Sequence, residues 1–269
     1  YSPLQATSII DFWSRWHVTL TRFLTAYLYN PLALWLTRRR LGKGLPGLGG
    51  GNARVGAFLQ LLAAPMLLTM FVSGVWHGAG YVFVLWGLLH GVYLTINHAW
   101  RLAGPKLWSS KESYARFMRP VGFVLTFFSV VMAMVLFRSP SVGAAAGVFK
   151  GMLGCNGIEL PRLFVEKLGG LGLPLQLVSG VDMPAKAFIV TQLWIFALLA
   201  IALALPNTLQ VMARYEPVLG VKERPANTGL LPFALTWKPT LLWAFALSAL
   251  AAVAIFQVGG PSEFLYWQF

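Results

Sequence analysis

The chain contains one cysteine, Cys155, and only eight acidic residues in 269, against 21 lysines and arginines. A single cysteine forbids an intrachain disulfide, which excludes a small secreted module stapled by such bonds. Charged residues make up 11% of the sequence, under half of the roughly 25% usual in soluble domains. That scarcity excludes a soluble enzyme and a disordered tail. The acids also never pair within one apolar segment, so glycosidase-type chemistry with two carboxylates has no support. No clustered Cys/His/Asp/Glu set is spaced to hold a metal, so no metal is expected. Cys155 itself lies in Gly154-Cys155-Asn156-Gly157, far in sequence from any histidine, and reads as a loop thiol.

What the chain has instead is apolar length. Hydrophobic residues reach 57%, aromatic residues 14%, and the mean hydropathy is +0.67. A spanning helix needs about 20 mainly apolar residues. Five segments approach or meet that length without Asp, Glu, Lys or Arg: Val55–Trp76, Gly78–Asn97, Pro120–Phe137, Ala187–Leu205 and Pro239–Val258. The fold class expected is therefore an all-α polytopic membrane protein with about five spanning helices. We read residues 1–269 as a single membrane-embedded domain, with interfacial or re-entrant helices over 1–37 and transmembrane helices with their loops over 55–258.

The net charge of +13 would suggest nucleic acid in a soluble protein. Here the bases stand between apolar runs, and no zinc-finger spacing, RNA-binding signature or phosphate loop accompanies them. Contact with anionic lipid headgroups explains them, and no nucleic-acid partner is expected. If the spans alternate, the loops Arg38–Arg54, Arg101–Arg119 and Asn207–Lys238 share one side and carry five, five and four of the 21 bases. That side should be cytoplasmic, and the turn after Trp76 should face outward. The glycine-rich stretch from Gly42 to Gly51 lacks the strand and the Lys-Ser/Thr of a nucleotide loop and is expected to be a disordered basic loop. A short helix is expected near Val142–Leu153.

The first forty residues are too polar to span easily. Ser8 suits a helix N-cap with Asp11 in its first turn, and Asp11 and Arg15 are spaced to pair along the helix. Trp13, Trp16, Leu20, Phe23, Leu24 and Tyr27 would form one apolar face of an interfacial or re-entrant helix. Irregular elements at membrane depth persist only where protein or a water-filled cavity surrounds them, which favours a functional site here.

The histidines carry the chemistry. His77 lies at the junction of two spans in Trp76-His77-Gly78-Ala79-Gly80, with Gly74 and Gly78 leaving room beside its ring. An imidazole with an unperturbed pKa near 6.5 suits a general base at neutral pH, while a proton-relay or packing role is equally compatible with composition. His90 lies mid-span, where an ionisable side chain is costly. Gly87 and Gly91 around it form a GxxxG pair suited to close helix packing, so His90 reads as a supporting residue. His17 is on the amphipathic N-terminal segment. His98, next to Trp100 and Arg101, reads as interfacial.

Two stretches carry a resemblance. Phe12-Trp13-Ser14-Arg15-Trp16-His17-Val18-Thr19-Leu20, continued by Tyr27-Leu28-Tyr29-Asn30-Pro31, resembles the FWRRWH signature of membrane-bound O-acyltransferases. Gly74-Val75-Trp76-His77-Gly78-Ala79-Gly80 and Trp86-Gly87-Leu88-Leu89-His90-Gly91 resemble that family's WHG block. Leu205-Pro206-Asn207-Thr208 and Phe264-Leu265-Tyr266-Trp267-Gln268-Phe269 resemble its bacterial branch of alginate and peptidoglycan O-acetyltransferases. Asn30-Pro31-Leu32-Ala33-Leu34-Trp35 departs from the IPLGGN stretch common in the alginate type. Family members are longer, and this chain, which begins at Tyr1, reads as the C-terminal half of such a fold.

The resemblance implies transfer of an acyl group, commonly acetyl, from a cytosolic thioester such as acetyl-CoA to a hydroxyl of an exported polysaccharide or a partner protein. It implies no bound cofactor, a periplasmic acetyltransferase partner, a polysaccharide acceptor and a bacterial inner-membrane location. It places catalysis on His77 and His17; beside them we read His90, Trp76, Gly78, Asp11 and Arg15 as supporting residues and Asn97 as a candidate for lining the site. The alternative is a proton-coupled transporter using His90 and His17 as relay groups. Such transporters are built from repeats with paired broken helices, which this sequence does not display.

Overall fold

The computed structural model describes residues 1–48, 55–169, 177–178, 183–216 and 235–258. It is all-α apart from a two-residue parallel pairing of β1 (Ile158–Glu159) with β2 (Leu177–Val178). The chain divides into two compact units, Pro3–Phe196 and Tyr1–Ser2 with Ala197–Phe269.

The larger unit begins with α1 (Ile9–Arg15), started as its sequence predicts: the Ser8 hydroxyl accepts from Asp11 N at 3.1 Å. Asp11 receives Arg15 Nε at 2.8 Å and Thr7 N at 3.2 Å. α1 then stops at Trp16, and α2 (Val18–Leu24) starts anew beyond His17. The break turns the expected continuous apolar face into two pieces. Phe12 and Trp13 are buried, whereas Trp16, Phe23 and Tyr27 are exposed. A π-helical turn, Thr25–Tyr29, leads into α3 (Asn30–Leu41).

Both π turns in this unit have the same cause. Asn30 N bonds back to Thr25 O just ahead of Pro31, and Ala64 N to Leu59 O just ahead of Pro65. A proline removes one amide donor and pushes its ring at the preceding turn, and widening the turn to an i→i+5 bond absorbs both. The first span is thus α4 (Val55–Phe58), a π turn and α5 (Ala64–His77) in one run.

After the turn Gly78-Ala79-Gly80 comes α6 (Tyr81–Ala103), whose span reaches Leu107, and then α7 (Lys111–Arg138). α5 and α6 form a tight antiparallel hairpin. A Cβ on Gly74 would strike the Phe83 carbonyl, and one on Gly87 the Met70 carbonyl, so only glycine permits this approach. α7 packs on α6, and its Gly122 touches the Thr7 carbonyl ahead of α1. Ala6, Ile9, Phe12, Trp13, Met70, Trp86, Leu94, Val130 and Ala133 form the core where α1, α5, α6 and α7 meet.

α8 (Val142–Met152) occupies the expected short helix and α9 (Arg162–Gly169) adds another. Cys155 is an exposed free thiol. α10 (Ala185–Ala204) is apolar all round and buries none of its residues, as suits a surface meant for lipid or further helices.

In the smaller unit, Asn207 of the Leu205-Pro206-Asn207-Thr208 motif caps α11 (Thr208–Val211) through a reciprocal box with Gln210. Its Nδ2 donates to Ser2 Oγ at 3.0 Å. α12 (Leu241–Gln257) follows. The C-terminal motif 264–269 lies outside the described residues.

Four helices among the described residues are long and apolar enough to cross a membrane, so the protein is a multi-pass membrane protein. Three expected boundaries need correction. The fifth segment forms α12 of 17 residues, about 26 Å at 1.5 Å per residue, short of a 30 Å hydrocarbon core. Its start is set by Thr240, whose hydroxyl caps Trp243 N. The third span begins at Lys111, capped by Ser110, so Pro120 is inside the helix instead of opening it. The second runs past Asn97 to Ala103. The basic loop is also tied down over 42–48: Leu45 N donates to the Arg40 carbonyl at 3.2 Å and Arg40 Nε to the Pro46 carbonyl at 2.8 Å. Residues 49–54 of that loop lie outside the described residues.

Candidate functional site

His77 is the last residue of α5, ended by Gly78, whose N–H turns back to the Val75 carbonyl at 3.2 Å. Three rings clasp the imidazole edge-to-face: Trp76 at 4.8 Å, Trp86 of α6 at 5.1 Å and Phe137 of α7 at 5.1 Å between centroids. His77 is 8% exposed. Of its two nitrogens, Nδ1 is the one sealed without a partner. The space expected beside Gly74 is instead filled by helix packing, because Gly74 lies against Phe83 and Gly87.

His17 stands in the break between α1 and α2, exposed, with φ 42° and ψ 51°. For a residue with a Cβ this left-handed conformation is uncommon and costs energy. Its ring is 6.2 Å from Trp76. The two expected catalytic histidines thus share one indole neighbour, Trp76.

His90 is fully buried, one helical turn below Trp86. Trp13 Nε1 donates to His90 Nδ1 at 3.2 Å. Phe12 stacks on its ring at 6.3 Å, and Trp86 and Tyr93 meet it edge-on at 5.0 and 5.8 Å. An indole N–H can only donate, so Nδ1 carries no proton and the neutral ring has its proton on Nε2. Trp86 is the common neighbour of His77 and His90.

Asn97, expected near the site, anchors α1: its Oδ1 accepts from Ile10 N at 3.2 Å. Asp11 and Arg15 pair with each other as expected, at the surface of α1. His98 is half-buried near the far end of α6. Among the described residues, no three His, Cys, Asp or Glu side chains come together.

Sequence reading missed three contributors. Trp13 and Trp86 sit inside the quoted motifs, and Trp86 lies one turn from His90, a spacing that pointed to a shared face. Phe137 carries no local signal, because only the fold of α7 over the α5–α6 hairpin brings it to His77.

No family model matches the chain. The peptidoglycan O-acetyltransferase of Helicobacter pylori is 36% identical over 165 residues, 61% of this chain and 26% of that protein. The probable alginate O-acetylase AlgI of Pseudomonas aeruginosa is 31% identical over 169 residues, 63% of this chain and 27% of that protein. The teichoic acid D-alanyltransferase of Bacillus subtilis is 25% identical over 138 residues, 50% of this chain and 30% of that protein. The match thus spans under a third of the length of these relatives. Over about three-fifths of its own length, the chain is similar to proteins named for O-acetylation of peptidoglycan and alginate.

Proposed function

We propose that this chain carries the acyl-transfer site of a membrane O-acyltransferase, with His77 as general base and His17 positioning the donor or acceptor. The hydroxyl of a cell-envelope polysaccharide gives its proton to His77, and its oxygen attacks the carbonyl of a cytosolic acyl thioester. An ester C–O bond forms, the thioester C–S bond breaks, and the thiol leaves with a proton. The observation that carries the reading is the setting of His77. One nitrogen is sealed and the ring is locked by three aromatic neighbours, which holds the other nitrogen in one direction, as a positioned base requires.

Acetyl is the group we infer, with acetyl-CoA as donor substrate. The relatives named for acetyl transfer are 36% and 31% identical, the D-alanyl-transferring one 25%. The acceptor is then an alginate-like polymer or peptidoglycan, reached with a periplasmic partner from the bacterial inner membrane. Trp76 and Gly78 shape the approach to His77. His90, Asp11 and Arg15 support it through α1. The burial of His90 against Trp13, Phe12 and Trp86 favours that supporting role over proton relay.

The test is label transfer from radiolabelled acetyl-CoA to cell-envelope extract by the protein in proteoliposomes, at matched amounts of folded protein. Wild type should transfer label, His77→Ala should lose at least a hundredfold, in line with general-base catalysis worth about 10²–10⁴, and His17→Ala should be reduced. Transfer undiminished in His77→Ala overturns the assignment.

A further inference from the structure

Arg40, at the end of α3, is a buried cation with no counter-charge among the described residues. It is 8% exposed. Its Nε donates to the Pro46 carbonyl at 2.8 Å and its Nη1 to Gln60 Oε1 at 2.7 Å, and both partners are neutral. Residues 12 to 111 include no aspartate or glutamate. The two ion pairs formed among the described residues join Asp11 to Arg15 and Glu166 to Arg162. Buried charges are ordinarily paired, because desolvation otherwise goes uncompensated.

The hydrogen-bond inventory decides what such a place can hold. A guanidinium has five N–H donors and no acceptor. Gln60 must therefore turn its oxygen to Arg40, which turns its NH₂ group away. The nearby acceptors, the Pro46 carbonyl and Gln60 Oε1, are used. Donors remain: Arg40 Nη2 and the Gln60 amide. Nη2 lies beside exposed Gly56, where a Cβ would stand 4.0 Å away, so residue 56 itself brings no side chain over it. Exposed Arg38, Arg39 and Lys43 add positive charge at the same end of α3.

We propose that Arg40 and Gln60, open past Gly56, form an anion site for the oxygens of a phosphate group. The planar guanidinium fork matches phosphate geometry. The site is at the start of the span Val55–His77, at the end opposite His77 and on the arginine-rich side, which is membrane-interface depth where phosphates are found. The source is either a lipid headgroup diester or a phosphate ester from solution. This site is independent of the acyl-transfer reading.

The discriminating variant is Gln60→Glu. It is isosteric and keeps the contact with Arg40, but it neutralises the cation. Purified protein in neutral detergent is titrated with inorganic phosphate by calorimetry, and retained phosphatidylglycerol is counted by native mass spectrometry. Wild type should bind in at least one arm. Gln60→Glu should weaken that binding at least tenfold with no loss of thermal stability, and Gly56→Val, which blocks the approach, should do the same. Binding confined to the lipid arm identifies a headgroup, and binding confined to free phosphate a soluble ester. Binding in neither arm, or equal binding by wild type and both variants, overturns the proposal.

Discussion

The bond from Trp13 Nε1 to His90 Nδ1 joins elements 77 residues apart in the core, and its removal can be worked out in both directions. His90→Phe keeps a ring among Phe12, Trp86 and Tyr93 but leaves the buried Trp13 N–H without an acceptor. An orphaned buried donor costs about 1–3 kcal/mol. Trp13→Phe removes the donor, leaves Nδ1 unpaired and vacates part of the indole volume, for a similar or larger loss. The double substitution strands no partner, so it should cost less than the sum of the singles by about 0.6–2 kcal/mol. The lower end of that range is typical of hydrogen bonds between membrane helices. The assay is a double-mutant cycle by denaturant unfolding in one detergent. Additivity within about 0.3 kcal/mol would refute the coupling. A second readout is independent of stability: ¹⁵N-histidine spectra should show His90 with Nδ1 bare and Nε2 protonated. The opposite tautomer would contradict the donor accounting.

Gly74→Ala should prevent normal closure of the α5–α6 hairpin, since the added methyl meets the Phe83 carbonyl and the backbone cannot swing aside. We expect a loss of at least about 1–3 kcal/mol, the usual range for overpacking, and a variant with wild-type unfolding would show that the helices are not in that contact. Ser8→Ala removes the acceptor for Asp11 N and should destabilise by about 1 kcal/mol. Ser8→Asp should restore most of it, and a wild-type midpoint for Ser8→Ala would argue against the cap.

Much of the architecture was legible because apolar runs bounded by bases leave little choice of fold, and the Ser8–Asp11–Arg15 start of α1 is written in local chemistry. The misjudged parts depended on tertiary partners. Trp16, Phe23 and Tyr27 share a helical period with Trp13, but period alone cannot show that the helix breaks at His17. Pro120 opens the charge-free run because Arg119 precedes it, yet Ser110 supplies a cap ten residues before Pro120 and the helix runs through. Gly74 looked like open space beside His77, since a missing side chain reads the same whether a ligand or another backbone fills the gap. The anchoring of α1 by Asn97 was not legible, because its partner, Ile10, is 87 residues away.

These anchors explain how His17 can hold its conformation. A left-handed backbone at a residue with a Cβ costs of order 1–3 kcal/mol and persists only where flanking structure over-determines it. The flank before His17 is α1, fixed at three places by three different contacts. Its approach is set where Gly122 touches the Thr7 carbonyl, its first turn by Asn97 and its second by His90. Two of the three come from one face of α6, the helix that also presents Trp86 to His77. A shift of α6 would therefore move the support of His17 and the Trp86 ring against His77 together. The fold couples the two histidines mechanically even though they belong to separate motifs and separate helices. That coupling is what the proposed chemistry requires, because a base and a positioning group must keep their spacing while substrates arrive from different sides.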